Sequence, residues 1–308
     1  MSIMTDQRSM RGEKGTPDRK IGILGGDARQ LTVIRGLSRK YECAVWGFDR
    51  IYGTPEEQFL SDAVRCADWE SAVRGSDAVI LPLPCTADGE TLSIPLSQSG
   101  KTVMLTEIAD RMTRGSLLTG GMMPSLFRRY AGELGIVTAD YFDSEELQIR
   151  NAVPTAEGAI AACIGTLPIT VDGMRAAITG YGRVGRTLAQ RLLALGAEVC
   201  AAARSGRDRA WADCDGCVPV PLEEYRNNPV KTDAVFNTVP HCIFDGELLE
   251  KLSADTVIFD LARGGADTET AEKLGIRVIP LPSLPGKTSP VTAGEIICAA
   301  VEEILEKG

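Results

Sequence analysis

The stretch from Met174 to Ser205, MRAAITGYGRVGRTLAQRLLALGAEVCAAARS, constrains the fold of this chain more than any other. Gly180, Gly182 and Gly185 form a G-x-G-x-x-G pattern between an apolar run ending at Thr179 and an amphipathic segment starting at Arg183. In a strand-turn-helix unit each glycine has its own task. Gly180 permits the tight turn, Gly182 lets the backbone approach a pyrophosphate, and Gly185 lets helix and strand pack closely. The first-turn N–H groups and the positive end of the helix dipole then face the phosphates. A second strand, Glu198 to Ala203, follows at the distance of a βαβ unit. The pattern predicts a Rossmann domain that binds a dinucleotide through Gly180, Gly182, Arg183, Val184 and Gly185.

The end of the second strand selects the cofactor. NAD enzymes usually place Asp or Glu there to accept from the ribose 2′-OH. Here Arg204 and Ser205 stand instead, followed by Arg207 and Arg209. With no carboxylate to repel a 2′-phosphate, a guanidinium and a hydroxyl can bind it, so NADP is expected. The alternative is a solvated Arg204 with NAD bound without an acidic anchor. Farther on, Asn237, Thr238 and Pro240 lie in a loop expected to contact the cofactor.

A length of 308 residues suits two domains. Strands alternate with helices before the bridge as well as after it, so both domains are expected to be α/β with parallel sheets. The expected division is a disordered tail over 1–19, a substrate-side domain over 20–148, a Rossmann domain with a bridging helix over 149–290, and a last helix over 291–308 that packs back on the first domain. Pro154 and Thr155 are expected to open the bridging helix, whose small residues let another backbone come close.

The net charge of -9 argues against nucleic acid or an acidic membrane surface as the main partner. No apolar run reaches the length of a membrane span, and the first twenty residues lack the apolar core of a signal peptide. Nine scattered cysteines suggest a reducing compartment, so a cytoplasmic protein is expected. Cys214 and Cys217 form one lone C-x-x-C, read as two thiols near a turn, and no metal site is expected.

The first domain opens with KIGILGGDARQ. Asp27, Arg29 and Gln30 fall at the C-terminal edge of a parallel sheet, where open α/β folds bind ligands. Asp27 as a helix cap and Arg29 as a surface residue are an equal alternative.

GGDARQ, NAVPTAEGAI, GYGRVG with ARS, FNTVP and LPGKTSPVTAG occur in that order between Lys20 and about Leu305. Together they resemble the dipicolinate synthase A-subunit family and, more distantly, two-domain 2-hydroxyacid dehydrogenases. The resemblance implies a flavodoxin-like or Rossmann-like first domain and an NAD(P)-binding Rossmann second domain. It implies formation of dipicolinate (pyridine-2,6-dicarboxylate) from dihydrodipicolinate or its hydrated precursor during sporulation, with the flavoprotein-like B subunit of the synthase as partner. The stretch LARGGAD after Asp260 and the presence of His241 depart from the family pattern.

A dicarboxylate substrate calls for Arg, hydroxyls or helix N-termini. Arg29, Thr86, Asn151, Thr155 and Thr292 are the candidates. Thr155 and Glu157 are expected to head the bridge helix, either at the substrate or as ordinary first-turn residues. His241, the single histidine, is the candidate general base. A homo-oligomer is expected. Two other readings remain: a different NADP-dependent hydroxyacid or imine dehydrogenase, and a non-catalytic subunit supporting a flavoprotein.

Overall fold

In the computed structural model, residues 19–262 and 264–307 are described. The tail expected over 1–19 therefore falls outside, apart from Arg19, as does Arg263 of LARGGAD. The chain divides into two compact units, residues 19–140 with Val301–Lys307, and Tyr141–Ala300.

The first unit runs β1 (Lys20–Leu24), α1 (Ala28–Leu37), β2 (Glu42–Trp46), β3 (Val64–Arg65), α2 (Trp69–Val73), β4 (Ala78–Ile80), α3 (Leu105–Arg111), β5 (Leu117–Gly120), α4 (Ser125–Glu133) and β6 (Val137–Asp140). Its strands are all parallel, in the order β3-β2-β1-β4-β5-β6. That is the Rossmann order 3-2-1-4-5-6, not the flavodoxin order 2-1-3-4-5. Central strands of such a sheet are covered on both faces, which explains why Ile21, Ile23, Val79 and Ile80 are fully buried. Gly22 is required in β1, because a Cβ there would lie 2.4 Å from the Ala72 carbonyl oxygen of α2.

The second unit runs α5 (Glu145–Thr166), β7 (Arg175–Thr179), α6 (Arg183–Ala194), β8 (Glu198–Ala203), α7 (Gly206–Cys214), β9 (Val218–Pro221), α8 (Leu222–Asn227), β10 (Ala234–Asn237), α9 (Gly246–Leu249), β11 (Val257–Asp260), α10 (Thr268–Lys273), β12 (Arg277–Pro280), α11 (Leu284–Thr288) and α12 (Pro290–Lys307). Its six parallel strands take the order β12-β11-β10-β7-β8-β9, the same Rossmann order read from the other edge. The last turns of α12 belong to the first unit, where Glu302 pairs with Lys40 at 3.0 Å and the Leu305 carbonyl accepts from Arg19.

The bridge helix differs from expectation. It starts nine residues earlier than Pro154, at Glu145, with the Ser144 hydroxyl accepting from the Leu147 N–H. Pro154 sits inside it, where its missing N–H leaves the helical contact to the Arg150 carbonyl unmade. Thr155 and Glu157 are therefore mid-helix residues. At Gly158 it is side chains, not a backbone, that come close: a Cβ would lie 2.9 Å from Thr288 Oγ1 and 3.2 Å from the Leu284 side chain of α11. Ala156, Ala159 and Cys163 of α5 share a core with Leu188, Ala189 and Leu192 of α6.

Candidate cofactor site

The three glycines of the second unit occupy three distinct environments. Gly180 has φ +85°, and a Cβ on it would lie 2.6 Å from Thr238 Oγ1. A Cβ on Gly185 would lie 2.2 Å from the Gly180 carbonyl oxygen. A Cβ on Gly182 would meet nothing within 4 Å. Two glycines are thus required by the fold itself, and the third borders open space. Gly182 is also the N-cap of α6 and brings no capping side chain to its first-turn N–H groups. Those groups sit on a groove lined by Gly180–Gly185, Ala202–Ser205, Asp208, Leu222 and Thr238–Pro240. A bare helix N-terminus beside an empty glycine cradle suits the pyrophosphate of a dinucleotide.

Charges around the groove are mostly paired. Arg183 reaches Glu145 at 2.7 Å. Arg186 reaches Asp215 at 2.7 Å and lies 3.9 Å over the Trp211 ring. Arg209 donates to the carbonyls of Ala203 and Arg204 and so seals the end of β8. Arg204 is exposed, and its guanidinium has no partner among the described residues. The Ser205 hydroxyl caps α7 by accepting from the Asp208 N–H at 3.0 Å. Asp208, 3.2 Å from Arg207, lines the same groove. The end of β8 is therefore not free of carboxylate, contrary to the expectation from Arg204 and Ser205 alone. The carboxylate arrives from the first turn of α7, four residues past Arg204.

Beneath the turn, Tyr181 points inward, its hydroxyl 3.1 Å from Asp215 Oδ2 and 3.5 Å from Cys217 Sγ. Burial pushes the Tyr181 phenol and the Cys217 thiol up. The hydrogen bond from Arg186 holds the Asp215 carboxyl below its ordinary range. The C-x-x-C thus separates into an exposed Cys214 and a buried Cys217 packed against Tyr181 of the glycine turn.

The loop after β10 is also different in detail. Thr238 lines the groove and donates to the Thr179 carbonyl at 2.8 Å. Pro240 is exposed at the rim, followed by an exposed His241. Asn237, expected to touch the cofactor, is fully buried and bonded to Thr179, Val239 and Asp260. In the sequence AAIT, AVFN and VIFD are apolar strands that each end on a polar residue, a pattern common to both uses.

Of the remaining candidates, Thr155, Glu157, Thr86 and Arg29 are engaged within the chain. Thr155 Oγ1 donates to the Asn151 carbonyl, and Glu157 pairs with Arg191 at 3.4 Å. Thr86 donates to Asp88. Asn151 Oδ1 is buried without a hydrogen-bond partner, and Thr292 is exposed in the first turn of α12. Arg29 is 5% exposed, with Nε and Nη2 on Asp27 at 2.9 and 2.8 Å and Nη2 also on the Leu83 carbonyl. Asp27 is the N-cap of α1, accepting from the Arg29 N–H. Arg29 is thus built into its own turn, a different use from the carboxylate contact expected of it. The corresponding crevice of the first sheet is filled as well: the Gly26 N–H donates to the Ser93 carbonyl at 2.9 Å.

Among the described residues no group of three or more His, Cys, Asp or Glu side chains could hold a metal ion, and no helix is long and apolar enough to cross a membrane.

Comparison with known proteins gives two family matches. Residues 20–142 match the N-terminal domain of the dipicolinate synthase A subunit. Residues 150–271 match the NAD binding domain of D-isomer specific 2-hydroxyacid dehydrogenases. The dipicolinate synthase A subunit of Bacillus subtilis (strain 168) is 32% identical over 289 residues, spanning 93% of this chain and 95% of that protein. The crystal structure of the A chain of dipicolinate synthase from Bacillus subtilis superposes with a TM-score of 0.81 at 31% identity, covering 94% of this chain and 96% of that one. The A-subunit structure from Bacillus halodurans gives 0.81 at 28% identity, covering 94% and 99%.

Proposed function

This chain belongs to the dipicolinate synthase A-subunit family, and from that premise we propose that it is the NADP-dependent oxidoreductase subunit that forms dipicolinate from dihydrodipicolinate or its hydrated precursor during sporulation. An oxidoreductase role with a nicotinamide cofactor follows from the dehydrogenase-type NAD-binding domain. Hydride acceptance is the chemistry a nicotinamide supplies when bound. The chain supplies the cradle: the N–H groups at the start of α6 for the pyrophosphate, the open side of Gly182 for its approach, and Thr238–Pro240 as the facing wall. His241 at the rim is the proposed proton acceptor, imidazole being the usual side chain for that task. The flavoprotein-like B subunit of the synthase is the proposed partner, in the cytoplasm.

The observation that carries the choice of NADP is the Arg204 guanidinium, unpaired among the described residues at the end of β8. Asp208 in the same groove supports the second reading, in which it accepts from an unphosphorylated ribose and the cofactor is NAD. Fluorescence titration with NADPH and NADH separates the two. Turnover of dihydrodipicolinate is then followed with the chain alone and with the B subunit. Activity that appears only with the B subunit, with no dinucleotide bound to this chain, would overturn the proposal.

A further inference from the structure

We propose that Asp260 is a positioning residue for the cofactor, acting through the carboxamide of Asn237. The adjacent strands β7, β10 and β11 end on Thr179, Asn237 and Asp260, none of them more than 5% exposed. The Asn237 amide is contacted at both ends. Its Oδ1 accepts from Thr179 Oγ1 at 2.8 Å and from the Val239 N–H at 3.1 Å. Its Nδ2 donates to the Val239 carbonyl at 3.1 Å and to Asp260 Oδ1 at 2.8 Å. The two bonds to Val239 make the amide a substitute for a neighbouring strand, and they hold the groove wall Thr238–Pro240 in place. That wall touches the glycine turn, since a Cβ on Gly180 would strike Thr238 Oγ1 and come 3.1 Å from Val239 Cγ2.

An amide turned over keeps its shape but reverses every donor and acceptor. The Val239 N–H and carbonyl oppose the reversal, and Asp260 opposes it further, because a carboxylate only accepts and so admits only Nδ2. The carboxylate is itself fixed by the N–H groups of Ala262 at 3.2 Å and Gly265 at 3.0 Å. Gly265 has no substitute, since a Cβ there would lie 1.8 Å from Asn237 Nδ2. Asp260 does not line the groove, yet it sets the geometry of one side of it. The inference rests on a dinucleotide occupying that groove.

Asn237→Asp tests it with almost no change of shape. Two buried carboxylates then face each other, and such a pair retains one shared proton to raised pH. The described residues hydrogen-bonded around the pair are Thr179, Val239, Ala262 and Gly265, none of which titrates. With the proton present, the pair keeps a donor between the two side chains and loses the one to the Val239 carbonyl. The variant is expected to bind NADPH within about tenfold of the wild type at low pH, the effect of one hydrogen bond. As the pair becomes a dianion, the ratio of variant to wild-type affinity is expected to fall by a further tenfold or so. Taking the ratio removes the titration of the cofactor's own phosphate, and circular dichroism at each pH follows folding. Asp260→Asn, which sets an amide against two N–H donors, is the second variant; its NADPH affinity is expected to fall about tenfold or more. A folded Asn237→Asp whose ratio does not change with pH, or a folded Asp260→Asn that binds NADPH like the wild type, overturns the proposal. A wild type that binds neither dinucleotide overturns the functional reading along with it.

Discussion

The Cα of Gly185 lies so close to Gly180 that a methyl group on it would come 2.2 Å from the Gly180 carbonyl oxygen. Gly182, between them in sequence, would accept a methyl group without touching any atom within 4 Å. The two glycines should therefore fail differently. Gly185→Ala is expected to loosen the packing of α6 on β7 and lower Tm. Gly182→Val should melt close to the wild type, within about 1 kcal/mol for a substituted N-cap, and lose dinucleotide binding. Calorimetric titration beside thermal melts checks both. Unchanged NADPH affinity in Gly182→Val would remove the cofactor from this turn.

Arg204→Asp replaces a cation with an acceptor for a ribose 2′-OH and places it beside Asp208. The expected result is a reversed preference, with NADPH weakened by roughly ten- to a hundredfold, as for a lost charge-assisted contact, and NADH strengthened. A wild type that binds both equally, or a variant with unchanged preference, would sink the assignment of NADP to Arg204.

Arg29→Ala removes the group that joins Asp27 to the Leu83 carbonyl. The loss should cost about 1.5–3 kcal/mol, seen as a lower Tm. Arg29→Lys should recover only part of it, because an ammonium cannot make the forked contact to Asp27. Melting of Arg29→Ala at the wild-type temperature would show that the clasp contributes nothing.

The Arg186–Asp215 pair predicts an acid limb in stability. The hydrogen bond from Arg186 lowers the carboxyl in the folded state. The stabilisation is therefore complete above the ordinary aspartate value of about 4 and is lost as the pH falls through the lowered one. Thermal melts of wild type and Asp215→Asn should differ at neutral pH and converge in acid. An equal difference at both ends would mean that the charge of Asp215 plays no part.

Much of this fold was legible because its signals are local. A glycine triplet between a strand and an amphipathic helix has few other uses, and buried parallel strands read as short apolar runs. The start of α5 was not legible, because a proline suits a first turn as well as a tolerated kink, and the Ser144-Glu145-Glu146 cap stood nine residues away. Two outer strands, Val64–Arg65 and Val218–Pro221, give weak signals, the first through its length and the second through its prolines. At the site, Arg204 could be read from its position after β8. Asp208 could not, because its approach to the groove depends on how α7 turns back. Asn237 was read with the loop that follows it, whereas it ends β10 and bonds to Thr179 and Asp260, since the polarity of a strand end does not say whether it meets a ligand or another strand end.

The hydrogen bond from the Gly26 N–H to the Ser93 carbonyl bears on stoichiometry. Both sheets have the same strand order, and both place a glycine turn after their first strand. In the first, the amide that would meet a phosphate is already capped by an oxygen of the same chain, and Arg29 closes over the neighbouring loop. That domain carries its own tethered ligand, present at an effective concentration that does not depend on the solution. A protein with two Rossmann sheets should accordingly saturate at one dinucleotide per chain.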